Sequence, residues 1–111
     1  MACASIVHDI YMLANEAKVK GVPALVDEAM KSNNLYLRRG LFLIVDDVDP
    51  ELVKKTLHAS NVYSLKTGVE LLKDIIALEG VLMIQAGLHP KMIVEILMSY
   101  LGDDVHDDAT E

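Results

Sequence analysis

The stretch GLFLIVDDVDPELVKKTL at residues 40–57 returns at residues 80–97 as GVLMIQAGLHPKMIVEIL. Gly40/Gly80, Ile44/Ile84, Pro50/Pro90 and Leu57/Leu97 fall in register, and apolar residues match apolar ones at most positions between. No other feature restricts the fold as much. Each copy reads as a helix, a short turn and a second helix opened by proline, whose fixed φ and missing amide suit a first helical turn. Two such hairpins can bury their apolar faces against each other, as packed helix pairs do. A solenoid generally needs about three repeats or more, so the expected product is a compact bundle.

The flanking sequence continues the helical theme. Ile6, Ile10, Leu13, Ala14 and Ala17 recur at helical spacing, which predicts an amphipathic helix over 5–20. Gly21 ends it, and Pro23 opens a short helix to residue 31. The first copy supplies a helix over 35–45 and another from Pro50 to residue 60, with Asp49 as its cap and Glu51 favouring its positive end. A long helix is expected over 64–86, apolar on two adjoining faces and therefore central. Gly87 terminates it, His89 stands at the next cap position, and Pro90 starts a last helix ending at Gly102. The fold class is all-α, a bundle of five to six helices occupying residues 1–101. Met83, Met92 and Met98 read as core packing.

The totals narrow the function classes. With 52% apolar residues, the body of the chain is expected to fold rather than remain disordered. The net charge of −7 lies mostly in the tail GDDVHDDATE, 102–111, leaving 12 acids against 10 bases in the body. The tail is expected to stay solvated, and no basic face offers itself to nucleic acid. The prospective recognition helices, PELVKKTLH and PKMIVEILMSY, are too sparsely basic or too apolar to read DNA. No apolar run approaches the roughly 18–20 residues that span a bilayer, and the longest, at 75–83, contains Glu79. His8 and Asp9 interrupt any secretory pattern, so a soluble chain in a reducing compartment is expected.

Catalytic and metal chemistry find little material. Cys3 is the only cysteine. His8, His58, His89 and His106 are scattered, none with a second ligand at the spacing of a helical zinc site. His106 lies among Asp103, Asp104, Asp107 and Asp108, which reads as an acidic tail. No nucleophile–base set, phosphate loop or dinucleotide fingerprint can be assembled. No enzymatic activity, cofactor or metal is expected.

More specific resemblances emerge when the motifs are read in order. The run LLKDIIALEGVLMIQAGLHPKMIVEILMSYL, 71–101, carries Glu79-Gly80, Ile84-Gln85 and Gly87-Leu88-His89-Pro90. It resembles the stretch following the last membrane helix of MotA/PomA-type flagellar stator proteins. Residues 16–57 resemble that family's cytoplasmic segment between its second and third membrane helices. They share basic residues before a glycine, Ala24-Leu25 before acids, Arg39-Gly40, Val45-Asp46 and Asp49-Pro50-Glu51. In the family two membrane helices separate these segments, whereas here only HASNVYSLKT, 58–67, joins them. Either the membrane part has been removed or this is a soluble relative, and the abrupt junction favours removal. In both cases the chain lacks the helices that line an ion pore.

The resemblance implies a cytoplasmic region that passes force to the rotor protein FliG. It also implies, in the full-length context, a MotB-like subunit, homopentameric assembly and association with the inner membrane. Carried over by position, the basic contact falls on Lys18 with Lys20 beside it. The acidic contact falls on Asp27 or Glu28, since Val26 stands where the family often has an acid. Apart from the resemblance, these residues would read as a solvated charged face. The repeat itself suggests one ion pair. Arg39 and Glu79 each precede the helical glycine with opposite charge, so pseudo-twofold packing is expected to bring Arg38 or Arg39 to Glu79. Otherwise Glu79 reaches solvent or a neighbouring subunit. The alternative function is a soluble helical adaptor that binds a partner helix without a motor role.

Overall fold

A computed structural model describes residues 2–101. Helices α1 (Ala2–Lys20), α2 (Leu25–Lys31), α3 (Leu35–Val45), α4 (Pro50–Ser64), α5 (Gly68–Gln85) and α6 (Pro90–Ser99) follow one another, with a 3₁₀ turn at Val22–Ala24 leading into α2. Among the described residues there is no strand. The fold is an all-α bundle.

The repeat exists in three dimensions down to individual backbone bonds. At the end of α3, Asp47 N–H donates to the Ile44 carbonyl and Val48 N–H to the Leu43 carbonyl; at the end of α5, Gly87 and Leu88 donate likewise to Ile84 and Met83. Both patterns satisfy the last carbonyls of a helix by reversing the chain through a left-handed residue. That residue is Asp47 with φ 60° in the first copy and Gly87 with φ 79° in the second. The caps correspond too. An Asp49 carboxylate oxygen accepts from Glu51 N–H at 3.0 Å, and His89 Nδ1 accepts from Lys91 N–H at 3.1 Å. Val53 and Leu57 in α4, and their counterparts Ile93 and Leu97 in α6, have no exposed surface.

α5 is the centre, packing against α1, α3, α4 and α6. Its buried residues include Ile76, Ala77, Leu78, Val81 and Ile84, which together surround most of the helix. The two glycines shared by the copies, Gly40 on α3 and Gly80 on α5, sit at tight helix contacts. A Cβ on Gly40 would lie 2.9 Å from Val81 Cγ2, and one on Gly80 would lie 2.5 Å from Ile10 Cδ1. Bare backbone at these places lets α3 and α1 settle onto α5. Ile10 touches α5 at Gly80, while Lys18 reaches Gly87 just beyond it, so α1 runs parallel to α5.

Several boundaries differ from the expectation. α1 starts at Ala2, and α4 continues to Ser64 instead of stopping near residue 60. Polar contacts from Ser60 and Asn61 to α3 hold this extra turn where apolar periodicity has lapsed. Leu65 at φ 56° then breaks the chain direction, and α5 begins at Gly68 instead of residue 64. The last helix ends at Ser99. Met83 is buried and Met98 half-buried, but Met92 is 53% exposed and does not belong to the core. The acidic tail, with His106, lies outside the described residues.

Candidate functional site

The C-terminal turn of α1 and the first turn of α2 carry the charges singled out in the sequence. Gly21 turns the chain between them, so basic and acidic residues come from consecutive helices at one end of the bundle. Lys18 Nζ donates to the Gly87 carbonyl at 3.1 Å, linking α1 to the turn after α5. A cation there also meets the negative end of the α5 dipole. Lys20 pairs with Glu16 at 2.8 Å, one helical turn back. The hydrogen bond and charge of Glu16 raise the Lys20 pKa, with smaller contributions from Glu28 and Asp27. Lys20, Asp27 and Glu28 therefore share one electrostatic neighbourhood. Asp27 is exposed, and Glu28 sits 4.0 Å from Lys31.

A cleft of about 660 Å³ opens beside this cluster, between α1 and the α2–α3 segment. Ile6, Leu13, Leu37 and Leu41 contribute apolar surface, and Asp9, Glu16 and Glu28 contribute acids. Asp9 and Glu16 were not singled out in the sequence. Their spacing of two helical turns, with Met12 between them, was the available signal.

The expected ion pair does not form. Arg39 Nη1 donates to Ser60 Oγ at 2.9 Å, while the Arg38 guanidinium lies over the Phe42 ring at 5.8 Å. Glu79 is half-buried on α5, and no described ion pair joins it to either arginine. The reason is rotational. A residue adjacent to a contact glycine projects about 100° around the helix from it, so seating Gly40 on α5 turns Arg39 towards α4.

The buried ion pair lies elsewhere. Asp74 is only 4% exposed and is held by Lys66 Nζ at 2.9 Å. Nearby, Tyr36 Oη donates to the Leu57 carbonyl at 3.1 Å and accepts from Asn61 Nδ2 at 3.2 Å. Burial, and then the Asp74 charge, push the Tyr36 hydroxyl pKa up to about 12. These groups line a cavity of about 180 Å³ at the other end of the molecule from Lys18. Among the described residues, no three His, Cys, Asp or Glu side chains converge as a metal site, and no helix is long and apolar enough to cross a membrane. Comparison with protein families and with curated proteins finds no family model and no relative that matches the chain.

Proposed function

We propose that this chain is the cytoplasmic, force-transmitting region of a MotA/PomA-type flagellar stator, meeting FliG through Lys18, Lys20, Asp27 and Glu28. The observation that supports it is the polarity of the bundle. In the stator family the membrane helices enter where this chain has its α4–α5 turn. That turn lies at the start of α5, and Lys18 lies at the end of it. An 18-residue helix spans roughly 27 Å, so the two places lie at opposite ends of α5, about that far apart. A stator domain needs this arrangement, with membrane attachment at one end and rotor contact at the other. MotB-like partners and pentameric assembly belong to the full-length context through the membrane helices.

Exposed charge pairs contribute about 1 kcal/mol or less each and are screened by salt. Contacts of this kind exchange quickly, as repeated engagement with a passing surface requires. A pull-down with FliG at low and moderate salt tests the reading. Salt-sensitive capture lost in Lys18→Glu, with the helical circular dichroism of the folded chain retained, supports it. Capture indifferent to Lys18 and to salt overturns it.

The cleft beside α1 favours the second reading, an adaptor that receives a partner helix. Met12 is 55% exposed on the cleft wall. In that case Met12→Glu abolishes partner binding and Lys18→Glu leaves it intact.

A further inference from the structure

We propose that the tip of the α4–α5 hairpin, residues 58–73, is a strap that opens from the body as a unit, with Lys66 as its fastener. The inference stands apart from the motor reading. Among the side chains described between Leu57 and Asp74 none is buried, whereas Leu57 is fully buried and Asp74 nearly so. Leu72 packs against the core at the α5 end of the segment, but Val62, Leu65 and Val69 are exposed by 62%, 85% and 53%, so little apolar contact holds the tip itself down. Among the described side chains, three polar ties do so instead: Arg39 to Ser60, Asn61 to Tyr36, and Lys66 to Asp74. Segments with few buried contacts are those that open below the global unfolding threshold.

The backbone adds a bias towards opening. Leu65 adopts φ 56°, a left-handed conformation unfavourable for a branched aliphatic residue, and its side chain gains no packing in return. The next residue is Lys66, whose ammonium holds the turn against the buried Asp74 carboxylate. Lys66 is 38% exposed along its side chain, so dissolved ions reach the pair and weaken it. Opening the strap uncovers the Asp74 carboxylate and the Tyr36 hydroxyl in the small cavity beneath.

Amide hydrogen exchange on the full chain, followed by mass spectrometry, tests this. In Lys66→Met, exchange across 60–67 should rise about tenfold or more while the buried stretch of α5 at 76–84 keeps its protection. The wild type should move the same way as salt is raised from low concentration to about 1 M. Leu65→Gly, which removes the left-handed cost, should slow exchange in the same segment. A uniform rise throughout α1, α5 and α6, collapse of the whole fold in Lys66→Met, or exchange at 60–67 indifferent to Lys66 and salt would each overturn the proposal.

Discussion

At Gly80, a single added methyl group would meet three atoms of Ile10, two of them closer than 3.0 Å. Ile10 is fully buried and has little room to withdraw. Overpacking costs typically about 1–3 kcal/mol, against about 1 kcal/mol gained in helix propensity. Gly80→Ala is therefore expected to lower stability by up to about 2 kcal/mol, and Ile10→Val should recover part of it in the double variant. Gly40→Ala, with only one contact below 3.0 Å, should cost less. Urea titrations of the four proteins check the order. A second residue-scale prediction concerns Tyr36, whose hydroxyl ionises near pH 12 in the fold and near 10 in the unfolded chain. The raised value means that the folded state holds this proton more tightly. Its stabilisation is complete below pH 10 and is lost as pH rises towards 12, by roughly 2–3 kcal/mol. Tyr36→Phe should flatten the stability profile across that window. The glycines were legible in the sequence because the repeat aligned them. Tyr36 and Asp74 were not, since nothing local tells a buried tyrosine or aspartate from an exposed one.

The same turn is written in different residues at the ends of α3 and α5, which allows a comparison within one protein. Asp47 bears a left-handed φ that Gly87 adopts without a Cβ. Asp47→Gly should stabilise the fold, while Gly87→Asp should destabilise it, each by a few tenths to about 1 kcal/mol, read from chemical denaturation. Equal signs for the two changes would show that these turns are not equivalent. Capping follows a similar logic: Asp49→Ala should cost about 0.5–2 kcal/mol, read from chemical denaturation, and His89→Ala should destabilise in the same direction. Most of these elements could be read in advance, because proline, glycine and capping residues act locally and leave a local mark. The final turn of α4 could not. It depends on Arg39 and Tyr36, residues of α3 that the periodicity of α4 does not report.

For the whole molecule, the packing of α5, a helix of the second hairpin, against α1 and both helices of the first hairpin makes separate melting of the two copies unfavourable. Leu57→Ala and Leu97→Ala, at fully buried equivalent positions, should each cost about 2–5 kcal/mol. Both should shift one common transition, seen identically by far-ultraviolet circular dichroism and tyrosine fluorescence. Two separable transitions would mean that the copies fold independently. The docking of the hairpins was foreseeable from their shared apolar pattern, but its rotation was not. Glycine contacts set that rotation, and they carried Arg39 to Ser60 and away from Glu79. The candidate partner-binding charges were readable only through resemblance. Spacing alone could not relate Lys18 to a carbonyl beyond the far end of α5.

Gln85 Nε2 donates to the Val48 carbonyl at 2.6 Å, stitching the turn of one copy to the end of the other copy's helix, and Lys18 fastens the first helix to the same place. At the opposite pole the exposed tip of the α4–α5 hairpin is held mainly by polar ties. A load applied at the stitched pole is shared at once by the helices joined there and the core between them. A load applied at the other pole must first stretch a loosely held hinge, so this small body should transmit a push faithfully from one side and absorb it from the other.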